Sequence, residues 1–159
     1  MENTIELRPI EMKDFHEVFQ WSKDEQFCLL NDWKINREEK ELYEWWKRCC
    51  EFQQSSSFRR FGIEHVGKLI GYADLADIKG KSAEVGVAIG DSTVWGKGIG
   101  SHVLKELMDY GREFLAIEEF YAETKATNLR YRNMLEKLGF FQTDKKGGIY
   151  YFKISFTGE

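Results

Sequence analysis

The sequence predicts an α/β domain built on a mixed sheet. Runs with strand-like alternation recur between short turn signals. Amphipathic stripes of helical period lie between several of those runs. One of these helices, starting at about Gly98, separates the strand "AEVGVAI" from the strand "EEFYAETKA", which forces a parallel crossover into a sheet otherwise joined by antiparallel hairpins. With 159 residues the chain fits one domain, 1–159, large enough to bury a core.

In chain order, "TIELRPI" alternates and stops at Pro9, giving a first strand at about Ile5–Arg8. From Asp14, Phe15, Val18 and Phe19 recur at helical spacing, a short helix. In "INREEKELYEWWKRCCEF", Leu42, Trp45, Trp46, Cys49 and Cys50 form one stripe opposite charged residues, a second helix. The segment "FRRFGIEHVGKLIGYADLADIKGKSAEVGVAIG" reads as three strands with turns at His65–Lys68 and Lys79–Lys81. After the glycine-rich stretch, Val103, Leu104, Leu107, Met108, Gly111, Phe114 and Leu115 repeat at helical period. "EEFYAETKA" is a strand, and "NLRYRNMLEKLG" a helix with Tyr131, Met134, Leu135 and Leu138 on one face and Gly139 as its stop. "FFQTD" and "IYYFKISF" close the chain as two strands around "KKGG".

Bulk properties narrow the function. The chain is 42% hydrophobic, 31% charged and carries a net charge of −4, a globular composition without the basic footprint expected for nucleic acid or an anionic membrane. "MENTIELRPI" lacks the apolar segment of a signal peptide, and no run is long enough to span a bilayer. Cys28, Cys49 and Cys50, odd in number with an adjacent pair, make a poor disulfide framework, so a cytoplasmic setting is expected. His16, His65 and His102 are scattered, and no metal site is expected.

The stretch "VWGKGIGSHVL" carries the most chemical information. If the strand ending at Ile89 feeds a loop that becomes the helix near Gly98, unpaired main-chain N–H groups and the positive end of the helix dipole converge there, a site for phosphate. Gly96, Gly98 and Gly100 clear side chains from it, Lys97 adds a cation and Ser101 a hydroxyl. A tight strand-to-helix connection explains the glycines equally well. Spacing excludes two nucleotide loops. Gly90 is followed by five residues before Gly96-Lys97, where a P-loop has four, and Gly98 follows where that loop needs Ser or Thr. Gly96, Gly98 and Gly100 also lack the three-residue step of a dinucleotide fingerprint.

The same residues resemble the acetyl-CoA loop of the GNAT N-acetyltransferases, (Gln/Arg)-x-x-Gly-x-(Gly/Ala), with Trp95 in the first position and Gly98 and Gly100 as the small residues. "NLRYRNMLEKLGF" resembles that family's Asn-led helix, and the element order is similar to the GNAT fold along the whole chain. The Trp-Gly-Lys-Gly form is similar to the ribosomal-protein-acetyltransferase-like branch. The resemblance implies a mixed, mostly antiparallel GNAT sheet with its central parallel crossover at the acetyl-CoA site, acetyl-CoA as co-substrate and an amine acceptor. It implies that main-chain groups from Trp95 through Ser101 (Trp95, Gly96, Lys97, Gly98, Ile99, Gly100, Ser101) hold the pyrophosphate, that Val87, Ala88 and Ile89 pair with the pantetheine arm, and that the Asn128 amide contacts the cofactor. An N-cap role explains Asn128 as well.

Alternation sets Ala83, Val85, Val87 and Ile89 on one face and Glu84, Gly86 and Ala88 on the other, and the small face is expected to leave room for the arm. Glu84, on that face, is the candidate base; an ordinary strand carboxylate is the alternative. The family's tyrosine seven residues after the asparagine is Leu135 here, and the serine of the ribosomal-type branch, three after it, is Tyr131. Tyr131 is the candidate acid for the leaving thiolate, against core packing. Cys49 and Cys50 are poor nucleophiles, since acyl transfer from a thioester needs no covalent enzyme intermediate. An acceptor pocket is expected among Phe27, Trp33, Trp45 and Trp46. The resemblance implies as acceptor a primary amine of a small molecule or a protein N-terminus. A non-catalytic CoA-binding module and a nucleotide-binding protein are the alternatives. Dimers are common in the family, and "IYYFKISF" is a candidate edge for a homodimer.

Overall fold

The computed structural model describes residues 4–156. The strands are β1 (Ile5–Arg8), β2 (Gln54–Ser55), β3 (Phe58–His65), β4 (Lys68–Lys79), β5 (Ser82–Ile89), β6 (Glu119–Lys125), β7 (Phe141–Lys146) and β8 (Ile149–Ser155). The helices are α1 (Phe15–Trp21), α2 (Glu25–Asn31), α3 (Glu39–Glu51), α4 (Ile99–Leu115) and α5 (Leu129–Lys137). One sheet runs β1-β3-β4-β5-β6-β8-β7, with β2 attached to β3. Every pairing is antiparallel except β5 with β6, the strands separated by α4. The expected mixed, mostly antiparallel α/β sheet with its central parallel crossover is therefore present.

Two apolar groups cover the two faces of the sheet. On one, α4 contributes Val103, Leu104 and Leu107 and α5 contributes Leu135, packed against Ile63, Leu75, Val85, Phe120 and Phe152. On the other, Val18 and Trp21 of α1, Phe27 of α2, and Leu42 and Trp46 of α3 pack with Leu69 and Ala88. The alternation read along β5 divides as expected, with Ala83 and Val85 in the first group and Ala88 in the second. At the start of α1, Arg8 grips buried Asp14 through two hydrogen bonds of 2.9 and 3.0 Å and Glu64 through one of 2.6 Å. That paired charge fixes the helical layer to β1 and β3.

Four features differ from the sequence reading. The segment between the first two predicted helices holds α2, a helix of seven residues, too short to show an amphipathic repeat. It starts on Asp24, whose side chain accepts from the Phe27 N–H at 3.1 Å, and ends on Asp32 in the left-handed region at φ 57°, where a glycine would have been the visible stop signal. Phe114 is 66% exposed instead of joining the α4 stripe, its ring lying beside that of Tyr110 at 5.3 Å. Phe27 and Trp46 are fully buried core residues and are closed to an acceptor, while Trp33 and Trp45 are only partly covered. The "IYYFKISF" strand, β8, lies inside the sheet between β6 and β7, so its backbone is paired on both sides and the free edge belongs to β7.

Candidate active site

The parallel pairing that defines the fold is short. β5 meets β6 only at Ser82↔Glu119, Ala83↔Phe120 and Glu84↔Tyr121. Yet β5 stays paired with β4 as far as Ile89, and β6 with β8 as far as Lys125. Beyond Glu84 the two strands therefore part, leaving a wedge in the middle of the sheet. Main-chain direction alternates along a strand. The Lys81 carbonyl accepts from the Glu119 N–H at 3.0 Å, so the odd-numbered residues of β5 turn their polar groups toward β6. Val87 and Ile89 thus present theirs to the wedge, whereas Ala88 turns its own toward Tyr72 on β4.

A cleft of about 530 Å³ fills the wedge and runs to the start of α4. Of the residues singled out from the sequence, Val87, Ile89, Trp95, Gly96, Gly98, Ile99, Gly100, Ser101, Asn128 and Tyr131 line it. Ala88 and Lys97 do not. Ala88 is packed under α1–α3, so the room lies on the Val87 and Ile89 side and not on the small-residue face, and Lys97 is exposed.

The head of the cleft is built from bare backbone. Gly96 and Gly98 take φ of 82° and 81°, a left-handed conformation that an L side chain rarely adopts, and a Cβ on either would meet nothing within 4 Å. Gly98 is the N-cap of α4 and offers no side-chain acceptor to the first turn. Among the described residues, the N–H groups of Ile99, Gly100 and Ser101 have no protein acceptor, and the first bonded amide of the turn is His102, to the Gly98 carbonyl at 3.1 Å. The Trp95 N–H is already given to the Ser92 carbonyl at 3.2 Å, so the open amides begin after it. The residues therefore suit a pyrophosphate: uncapped donors, a helix dipole and no side chain in the way.

Deeper in, Tyr131 of α5 turns its phenol toward the Val87 N–H, and burial raises its pKa. Asn128 caps α5 by accepting from the Tyr131 N–H at 3.3 Å, and it also lines the cleft. Glu84 stands at the closed end of the wedge on the opposite face of the sheet. There it lines a second cleft of about 340 Å³ with Tyr121, Glu123, Thr143, Asp144 and Tyr151. Burial raises its pKa, and the neighbouring Glu123 and Asp77 charges raise it further. Its charge in turn adds a little to the rise of the Tyr131 phenol, while the two side chains line separate clefts.

One contact of Trp95 and several lining residues escaped the sequence reading. The Trp95 indole donates to the Ile89 carbonyl at 2.9 Å, and Arg130 stacks over its ring at 5.4 Å. Arg130, Asn133, Met134 and Lys137 form a face of α5 at three- and four-residue spacing, a pattern visible in "RYRNMLEK". Leu30 and Asn31 of α2 also reach the cleft. Cys28, Cys49 and Cys50 are free thiols, none lines either cleft, and burial pushes Cys50 up to about 11. Among the described residues there is no cluster of three or more His, Cys, Asp or Glu placed to hold a metal ion, and no helix is long and apolar enough to cross a membrane.

Residues 4–141 match the family profile of the acetyltransferase (GNAT) domain. The chain belongs to the GNAT acetyltransferase family. It is an acyl-CoA-dependent N-acyltransferase, with acetyl-CoA as its co-substrate. Solved GNAT structures share the architecture. The spermidine N-acetyltransferase of Vibrio cholerae, in complex with CoA and spermine, has a TM-score of 0.78 at 21% identity over 96% of this chain and 95% of its own. A GNAT-family acetyltransferase of Bacillus anthracis has a TM-score of 0.80 at 15% identity, over 98% and 97%. RimL, a ribosomal L7/L12 alpha-N-protein acetyltransferase in complex with coenzyme A, has a TM-score of 0.79 at 17% identity, over 96% and 94%.

Proposed function

We propose that this GNAT domain transfers an acetyl group to a primary amine that enters from the Glu84 face, opposite the donor. The parting of β5 from β6 carries this reading, because it lies between a cleft with a phosphate-suited cradle and a carboxylate-lined cleft on the opposite face. Bound acetyl-CoA supplies an acyl group already activated as a thioester. The amides of Ile99 through Ser101 hold its pyrophosphate, and the Val87 and Ile89 main chains align its arm. The Val87 N–H polarises the acyl carbonyl where negative charge develops.

Glu84 takes a proton from the ammonium form of the acceptor, since only the neutral amine attacks. Its raised pKa brings it nearer the operating pH, as a general base requires. Tyr131, with its high pKa, keeps its proton until the thiolate leaves and then donates it. The acidic groups lining the second cleft favour a cationic acceptor, a small polyamine or a protein N-terminus. The Trp-Gly-Lys-Gly loop supports the ribosomal-protein-acetyltransferase-like branch, and the three free thiols suit a reducing cytoplasm. Acetyl-CoA incubated with a panel of polyamines, amino sugars and peptides with free N-termini should release free thiol with at least one of them. Tight CoA binding with no thiol release on any of these amines would overturn the proposed acceptor class.

A further inference from the structure

The helix that the sequence did not reveal, α2, is tied at both ends to the two strands that part. At its N-terminal end the N-cap residue Asp24 accepts a hydrogen bond from the Ser92 hydroxyl, in the loop that follows β5. At its C-terminal end the Lys125 ammonium, the last residue of β6, donates to the Leu29 carbonyl at 2.9 Å and pairs with Asp32 at 2.7 Å. A cation on the terminal carbonyls of a helix also satisfies the negative end of its dipole. Between those ties, Leu30 and Asn31 face the donor cleft.

We infer that α2 is a crossbar spanning the open end of the wedge over the donor's arm, and that Lys125 is the positioning residue that latches it. The inference rests on the donor-site reading above and adds to it a determinant of how firmly the donor is held. The two ties are unequal. Asp24 is partly buried and also caps the helix, so the Ser92 end is the fixed one. Asp32 is 79% exposed, so its ion pair with Lys125 contributes little by itself. The Leu29 carbonyl bond, from a lysine side chain less exposed than Asp32 and set on the negative end of the helix, carries most of the latch. Releasing it frees the Leu30 and Asn31 end to lift from the cleft without disturbing Phe27 and Cys28, which stay anchored in the core.

The test is Lys125→Met, which keeps the stem and removes the ammonium, with Lys125→Arg as the conservative rescue. CoA affinity by calorimetry should weaken about tenfold in Lys125→Met, the effect of losing one charge-assisted bond. KM for acetyl-CoA should rise with it while kcat stays within about twofold, the pattern of lost uniform binding. Lys125→Arg should restore most of both. In the free protein, amide exchange at Leu29 through Asn31 should quicken in Lys125→Met, while exchange at Phe27, Cys28 and in α4 stays as in the parent. Unchanged CoA affinity together with unchanged α2 exchange in a folded Lys125→Met protein would overturn the crossbar alone. Failure of the parent protein to bind CoA would overturn the donor-site reading and the crossbar's role in holding the arm, although α2 exchange would still report whether Lys125 holds the helix.

Discussion

The two ends of the donor cleft are built in opposite ways. At the α4 end the working parts are main-chain amides, set by glycines within a few residues of one another. At the α2 end the working parts are side chains that meet across long stretches of chain, Ser92 with Asp24 at a separation of 68 residues and Lys125 with Leu29 at 96. The first end is a local property of the sequence and is fixed as soon as α4 forms. The second exists only after the sheet has assembled and brought β5, β6 and the N-terminal layer together. One end of the cleft thus rests on local chain geometry and the other on tertiary contacts.

Substitutions separate these halves from the chemistry between them. The largest effect is expected at Glu84. Glu84→Gln should lower kcat by roughly 10²–10³, as for loss of a general base, and remove the acidic limb of the pH profile with CoA affinity unchanged. The same variant carries a stability signature. The Glu84 carboxyl holds its proton more tightly in the folded than in the unfolded protein, because burial and then Glu123 and Asp77 raise its pKa. Folding stability therefore falls as pH rises from the unfolded carboxyl value through the raised folded one. Glu84→Gln should abolish that fall, melting no lower than the parent at neutral pH, whereas a carboxylate held by a favourable ion pair would give the opposite sign.

Next in size is Gly98→Val. A β-branched residue at φ 81° is strained, and its side chain covers the open amides, so CoA affinity should drop by about 10² while the fold survives. Equal CoA affinity would show that the cradle is only a tight connection. A smaller effect belongs to Tyr131→Phe, for which kcat should fall about tenfold with CoA affinity unchanged, because one proton donor is lost and its ring still packs. Full activity would leave Tyr131 as a packing residue only.

Most of the fold was legible because its signals are short-range. Strand alternation marked β3, β4 and β5, and helical stripes marked α3 and α4. The cradle was legible because glycines at alternate positions are costly unless the backbone needs them. What stayed hidden depends on partners distant in sequence. α2 ends on Asp32 where no glycine marks the stop, and the Trp95 indole finds the Ile89 carbonyl only after the loop has closed. The misplaced detail on β5 was the face that borders the cleft, which Val87 and Ile89 line and Ala88 does not. Alternation gave two faces correctly, but only the parting of β5 from β6 decides which one borders the wedge. Tyr131 was reached through its place in the motif, and its approach to the Val87 N–H appears only in three dimensions.

The most direct measurement is residue-resolved amide exchange with and without saturating acetyl-CoA. The account predicts strong protection of the Ile99, Gly100 and Ser101 amides and of the Ile89 amide, with little change along β7. Acetyl-CoA that binds while those amides exchange as fast as in the free protein would contradict it.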